Sequence, residues 1–192
     1  VYKRQLLDVS QGGAYAHNLF AGHILPHPEL NRETPFHEPH TTNVAGLLNI
    51  AGGDNRFYNN VFVHPSGLAV YDQAARPVFA SGNVYLNGAM PCRNETSSIV
   101  RTTVDPVIQI TQEDKSATLH ITVDPSWQVP LTEPVTTSRL GTAAVSKAAY
   151  EDPDGTPLTV DTDYFGQERD LENPCPGPFA HLKDGRLTLK VR

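Results

Sequence analysis

The sequence has little cysteine, little charge and no long apolar stretch. Two cysteines, Cys92 and Cys175, allow at most one disulfide in 192 residues, which excludes a disulfide-stapled fold. No apolar run approaches the roughly 20 residues of a bilayer-spanning helix, so we expect no membrane partner. Charged residues make up only 19% of the chain and the net charge is −6. This balance argues against nucleic acid or an anionic lipid surface as a partner.

Proline and glycine, in contrast, are frequent, with 16 and 14 residues. Helices interrupted this often would be short, so a long-helix bundle is excluded and we expect an all-β fold. The sequence contains no phosphate-binding loop, no dinucleotide-binding glycine motif and no Gly-x-Ser-x-Gly elbow. We therefore predict no cofactor.

A triplet of asparagine, branched aliphatic and aromatic residue occurs three times in the first half. The triplets are Asn18–Phe20, Asn60–Phe62 and Asn83–Tyr85, and their starts lie 42 and 23 residues apart. One coil of a parallel β-helix takes a little over 20 residues, so this spacing is typical of stacked coils. In that arrangement the aliphatic residue would point inward. The alternative is three unrelated short strands that each begin with asparagine.

Two further segments of the first half have a clear local pattern. The segment 23–42 contains four prolines, which exclude a helix or a central strand and favour a functional excursion between strands. A turn at Gly52–Asn55 then leads into a predicted strand at Phe57–Val63.

The second half follows a different pattern. Apolar and polar residues alternate from Ala117 to Val123 and again from Leu187 to Val191, which predicts strands buried on one face. Leu158–Val160 follows an Asp-Gly turn and predicts another strand. These strands favour an antiparallel β-sandwich. We place the boundary between parallel β-helix coils and sandwich at residues 92 and 93, giving domains 1–92 and 93–192.

Histidines and carboxylates are the first candidates for chemistry. Six of the eight histidines lie in the first 64 residues; His37 and His40 could bind a hydroxyl-rich ligand in a polar cleft or lie on the surface. A zinc site from His23, His27, His37 and His40 is disfavoured because prolines break the segment, so we predict no metal. No carboxylate pair stands in an ordered setting among Asp8, Glu29, Glu33, Glu38, Asp54 and Asp72. Tyr15, Phe36 and Tyr58 could stack on sugar, although packing is the commoner role of such residues.

Several motifs, in chain order, resemble the β-xylosidases of glycoside hydrolase family 120. They include Ser10–Tyr15, Arg32 with Thr34, His37, Pro39 and His40, Gly52–Phe62, Asn87–Ala89, Tyr150–Glu151, Pro153–Gly155, Asp161–Tyr164 and Gly177–Pro178. The resemblance implies a right-handed parallel β-helix combined with a β-sandwich. It also implies that the nucleophilic Asp and the acid/base Glu precede the Ser10–Tyr15 coil. The chain starts at Val1 without Met or a signal pattern, so we expect a C-terminal fragment without catalytic residues.

The resemblance implies roles for residues that are present. Gln11, Arg32, His37 and His40 would bind a xylo-oligosaccharide or related glycan, and Asp54 with Arg56 would fix the turn behind them. Pro35, Phe36, Glu38 and His17 depart from the family pattern, which affects the expected sugar specificity. We predict that this chain is part of a retaining glycoside hydrolase and that it is inactive on its own. An uncovered end of the β-helix would favour self-association, and hence a homo-oligomer. The competing interpretation is a non-catalytic carbohydrate-binding or adhesin module.

Overall fold

The computed structural model describes residues 5–127 and 132–191, and most of the regular structure in them is β-strand. The predicted all-β class is confirmed. In the described residues, helical structure is limited to two 3-10 turns, Ala69–Gln73 and Pro125–Trp127, and one short helix, α1, at Thr137–Leu140. Within these described ranges no helix has the length and apolarity to cross a membrane. Cys92 and Cys175 are both free thiols.

The strands follow one another closely along the chain. The first eleven are β1 Gln5–Asp8, β2 Ala14–Ala16, β3 Leu19–Phe20, β4 His23–Pro26, β5 Glu29–His37, β6 Val44–Ile50, β7 Arg56–Tyr58, β8 Val61–Val63, β9 Phe79–Ser81, β10 Val84–Leu86 and β11 Ile99–Arg101. The last three are β12 Gln109–Glu113, β13 Ser116–Val123 and β14 Gly185–Lys190.

Three parallel sheets organise the first part of the chain. Their strand orders are β1-β4, β2-β7-β9 and β3-β8-β10-β11. In the largest sheet Leu19 pairs with Val61, Val61 with Val84, and Val84 with Ile99. The three asparagine triplets therefore lie side by side in register, as the repeat predicted, and are not three unrelated strands.

A ladder of asparagine side chains runs across these strands at the bend before each one. The backbone N–H of Asn18 donates to Oδ1 of Asn60 at 2.9 Å, and Nδ2 of Asn60 donates to Oδ1 of Asn83 at 3.0 Å. Nδ2 of Asn83 donates to Oε2 of Glu95 at 2.9 Å, which ends the ladder on a carboxylate. Asn60 and Asn83 are fully buried, and a buried amide is tolerated because it is hydrogen-bonded.

The aromatic residues of the triplets fill the space between the parallel sheets. Phe20 stacks on Phe62 with ring centroids 4.9 Å apart, and Phe62 stacks on Tyr85 at 5.2 Å. All three parallel sheets contribute to this cluster, through residues such as Ile24 and Phe57. The aromatic stack is thus the interior of the parallel-stranded part.

The prediction that the aliphatic residue of each triplet points inward is wrong. Val61 and Val84 pack in a separate cluster with Leu119 and Ile121 of β13. Successive side chains in a strand point to opposite faces, so placing the aromatic residue inside directs its aliphatic neighbour outward. The antiparallel sheet that contains β13 covers that outer face.

Two predicted strands differ in the structure. Phe57–Val63 is divided into β7 and β8, because Asn59 has a φ of 56° and bends the chain between them. Leu158–Val160 forms no strand; Thr159 makes an isolated bridge with Thr136.

The proline-rich segment is more regular than predicted. Its residues form β4 and all of β5. β5 pairs with β6 in an antiparallel hairpin, which places Pro35 opposite Leu47. Both strands of a two-stranded hairpin are edge strands, which tolerate a proline that cannot donate a ladder hydrogen bond. β5 is therefore an edge strand, in agreement with the prediction that this segment is not a central strand.

The antiparallel sheet has the order β12-β13-β14. Leu119, Ile121 and Val123 of β13 are buried, as their alternation predicted. Leu119 pairs with Leu189, and Ile121 with Leu187. The sheet therefore presents one apolar face to Val61 and Val84 of the parallel strands.

Candidate functional site

Three of the four residues predicted to bind sugar lie on the β5–β6 hairpin. Arg32 is in β5, His37 ends it, and His40 lies in the turn with a φ of 58°. Nδ1 of His37 lies 3.1 Å from the carbonyl oxygen of Thr42, and Nε2 of His40 lies 3.0 Å from Oε2 of Glu151. Arg32, His37 and His40 are exposed, so they can meet a ligand from solvent.

The fourth residue, Gln11, lies at the base of this hairpin. Its Oε1 accepts from Nη1 of Arg76 at 3.0 Å, and its Nε2 donates to the carbonyl oxygen of Asn49 in β6 at 3.4 Å. Gln11 lines a cavity of about 250 Å³ with Thr34, Phe36 and other residues of the hairpin's inner face. Arg32, His37 and His40 do not line this cavity. The four residues therefore belong to one neighbourhood without converging on one pocket.

Asp54 and Arg56 form a buried ion pair that joins distant parts of the chain. Nη1 of Arg56 lies 2.8 Å from Oδ1 of Asp54, and both side chains are less than a tenth exposed. Nε of Arg56 donates to the carbonyl oxygen of Leu140 at 2.9 Å, and Nη2 to that of Thr142 at 2.8 Å. The other carboxylate oxygen of Asp54 accepts from the N–H of Ala144 at 2.7 Å. The pair thus fixes the turn at residues 52–55 against α1 and the segment after it.

Asp8 is the most extensively bonded carboxylate near the hairpin, although from the sequence it is only one of six candidate carboxylates. The side chain is 5% exposed. It accepts from Nδ2 of Asn55 at 2.7 Å and from the Tyr71 hydroxyl at 2.5 Å. The hydroxyls of Tyr15 and Ser10 also donate to it. Burial, together with the bond to Asp8, raises the pKa of Tyr71.

Asp8 also lies on the wall of a cavity of about 330 Å³ between the hairpin base and the 3-10 turn at residues 69–73. His27, Gly52 and Tyr71 line the same cavity. A carboxylate has about four acceptor positions, and four donors occupy those of Asp8. The geometry therefore makes Asp8 a structural residue that holds the chain together beneath the hairpin. This role depends on contacts between strands that are distant in sequence, so the sequence alone could not reveal it.

The histidine pairs considered for zinc are not brought together. In the parts of the chain that the structure describes, no group of three or more His, Cys, Asp or Glu side chains could hold a metal ion. His23 instead packs against His64, with ring centroids 3.9 Å apart. Burial and the neighbouring His23 lower the pKa of His64.

The aromatic residues considered for sugar stacking have different environments. Tyr15 stacks on Phe57 at 4.7 Å, and Tyr58 is buried beneath the guanidinium of Arg139 at 4.5 Å. Both serve packing. Phe36 lies on the inner face of the hairpin, where a Cβ on Gly46 would come within 2.9 Å of its ring. Gly46 is thus the residue that leaves room for this ring.

The fold and the site define an all-β protein in which parallel strands, stacked in register, carry an exposed polar hairpin. No family model matches the chain, and no curated protein matches it. Among solved structures it is similar to XylC, described in a complex with xylose, with 32% sequence identity and a TM-score of 0.88. The similarity covers 97% of this chain and 34% of XylC. The chain therefore spans about a third of the length of this structural neighbour.

Proposed function

We propose that this chain is the C-terminal part of a retaining, β-xylosidase-like glycoside hydrolase of the family 120 type, acting on short xylo-oligosaccharides. The similarity to XylC, solved with xylose, carries the proposal because it extends over 97% of the chain at 32% identity. The motifs of the family 120 resemblance support the same substrate class.

The proposed architecture is a right-handed parallel β-helix over residues 1–92 followed by a β-sandwich portion over residues 93–192. The in-register parallel pairing of β3, β8 and β10 supports the helical coils, and the 23 residues between Asn60 and Asn83 are the length of about one coil. Parallel pairing continues to β11, so the last coil would extend slightly past residue 92. The antiparallel sheet β12-β13-β14 supports the second portion.

The proposed reaction uses two carboxylates about 5 Å apart. One attacks the anomeric carbon as the other protonates the leaving oxygen. The second carboxylate then removes a proton from water, which releases the sugar from the first. We place both groups on chain preceding the Ser10–Tyr15 coil. Asp8 is a poor nucleophile because its oxygens already accept four hydrogen bonds.

Gln11, Arg32, His37 and His40 would form one wall of the cleft and bond sugar hydroxyls. Their exposed or partly exposed polar groups support this role. The contact of His40 with Glu151 would fix the hairpin turn relative to the second part of the chain. The buried pair of Asp54 and Arg56 would hold the wall in place from behind.

Hydrolysis of an aryl β-xyloside tests the proposal. The purified 192-residue chain is expected to show no turnover, and a longer protein that carries the preceding coils is expected to hydrolyse the substrate. In that longer protein, His40→Ala should raise KM, with Arg93→Ala, an exposed residue of another surface, as the matched control. Turnover by the 192-residue chain would contradict the placement of the catalytic pair. Binding without hydrolysis in both proteins would favour the carbohydrate-binding module.

A further inference from the structure

A second groove, lined by none of the residues discussed for the hairpin wall, lies along β9. Its volume is about 430 Å³, within the range of about 300–1,000 Å³ typical of ligand sites. Its lining includes Tyr58, Phe79, Asn94, Thr96, Glu133 and Arg139. The groove thus combines aromatic, amide, hydroxyl and charged groups along an edge strand.

Phe79 supplies an open aromatic face. Its side chain is 43% exposed, although it lies in a strand whose next residue, Ala80, is buried. The guanidinium of Arg56 lies 4.8 Å from the ring centroid. The ion pair with Asp54 fixes Arg56. The guanidinium therefore supports one face of the Phe79 ring and holds the ring in one orientation. An apolar ring held in this way is a platform for a flat ligand.

Two polar groups of the groove, Arg139 and Asn94, are also held in place. The guanidinium of Arg139 lies over Tyr58 and has its Nε 3.6 Å from Oε2 of Glu133. Nδ2 of Asn94 donates to the carbonyl oxygen of Val78 at 3.2 Å, which orients the amide. Fixed planar groups lose little conformational entropy when they bind a ligand.

The charge of the groove selects the class of ligand. Glu133 and Arg139 have opposite charges, and the other lining residues are neutral. A phosphate or a cation would meet one repulsive partner for each attractive one, whereas an uncharged polyol can donate to Glu133 and accept from Arg139. An apolar platform beside donors and acceptors matches the apolar face and the hydroxyl edge of a pyranose ring.

We propose that the groove along β9 binds a neutral glycan, with a pyranose ring on the open face of Phe79 and its hydroxyls bonded by Glu133 and Arg139. The choice of xylose as the sugar rests on the proposed function; the preference for an uncharged ring rests on the groove alone. The site would hold a glycan chain on a face of the protein other than the hairpin.

Calorimetric titration of the full chain with xylohexaose, cellohexaose and mannohexaose tests the inference. Phe79→Leu keeps an apolar side chain but removes the flat face, and should weaken binding about tenfold. Phe165→Leu is the matched control, because Phe165 is 45% exposed and lies outside the groove; it should bind as the parent does. His40→Ala should leave a Phe79-dependent binding event in place.

The outcomes separate this inference from the proposed function. Phe79-dependent binding of xylohexaose supports both. Phe79-dependent binding of cellohexaose or mannohexaose, without xylohexaose, supports the groove and contradicts the xylose class. If no oligosaccharide binds, or if Phe79→Leu binds as tightly as the parent while remaining folded by circular dichroism, the groove is not a glycan site.

Discussion

The N-terminal region (residues 5–101), which holds the parallel sheets and the β5–β6 hairpin, and the C-terminal region (residues 102–127 and 132–191) are held together by different means. In the first, side chains of the same kind repeat from strand to strand, as in the asparagine ladder and the aromatic stack. In the second, single side chains bind scattered carbonyl oxygens, as Arg169 does with those of Thr162, Cys175 and Gly177. A repeated contact spreads its stabilisation over several strands, whereas a unique contact concentrates it in one residue.

The contact expected to have the largest effect is the buried ion pair that joins the two regions. Arg56→Ala leaves Asp54 buried without its partner and removes donors to Leu140 and Thr142. We expect a loss of about 3–5 kcal/mol in the free energy of unfolding, measured by urea denaturation. Arg93→Ala, which removes an exposed arginine beside Asp72, should cost less than about 1 kcal/mol. Equal losses would show that the buried pair has no special role.

The asparagine ladder should show a smaller loss. Asn60→Ala removes a donor to the carbonyl oxygen of Tyr15 and the acceptor of Asn18. We expect a cost of about 1–3 kcal/mol from the buried groups left without partners. Asn18 is exposed and sits at the outer end of the same ladder, so Asn18→Ala should cost clearly less in the same denaturation experiment. A larger loss for Asn18→Ala than for Asn60→Ala would contradict the view that burial determines how much each ladder residue contributes to stability.

His17 makes the contact between the regions sensitive to pH. Its Nδ1 lies 3.2 Å from the carbonyl oxygen of Cys175, and burial followed by the charge of Arg169 lowers its pKa to about 3. In the unfolded chain His17 titrates near 6.5. Between pH 6.5 and 3, therefore, the imidazole is protonated in the unfolded state and neutral in the folded state. Stability conferred by neutral His17 is therefore lost as pH falls, by about 1.4 kcal/mol per pH unit.

His17→Asn isolates this effect. Asparagine tolerates the φ of 54° at this position and does not titrate in this range. The difference in unfolding free energy between parent and variant should change between pH 6 and pH 4 with the slope given above. A difference independent of pH would contradict a neutral His17 in the folded protein.

The contact of the hairpin with the C-terminal region should have the smallest effect. His40 is 68% exposed at its side chain and meets Glu151 on the surface. We expect His40→Ala to cost less than about 1 kcal/mol in the free energy of unfolding. Glu151→Gln should give a similar small change. A loss as large as that of Arg56→Ala would mean that the hairpin is part of the core.

The contrast between the regions also explains what the sequence could predict. The triplet spacing predicted the register of β3, β8 and β10, because a repeated pattern is visible without knowledge of the fold. The direction of Val61 and Val84 was predicted wrongly, because both pack outward against β13. The alternation of side chains along a strand does not show which face of the strand meets the interior when both faces are covered.

The partners of the buried charges could not be predicted. Arg56 binds the carbonyl oxygens of Leu140 and Thr142, and backbone oxygens have no signature in the sequence. The role of Asp8 depends on Asn55 and Tyr71, which reach it only after the parallel strands are stacked. The same holds for the groove at Phe79, whose wall includes Glu133 and Arg139 from beyond the parallel strands.

The most direct test of the central claim is one titration of the 192-residue chain with xylohexaose in which binding heat and released xylose are both measured. If the chain carries sugar-binding walls but not the reacting carboxylates, xylohexaose will bind and no xylose will be released. Release of xylose would contradict this account, and so would the absence of any binding.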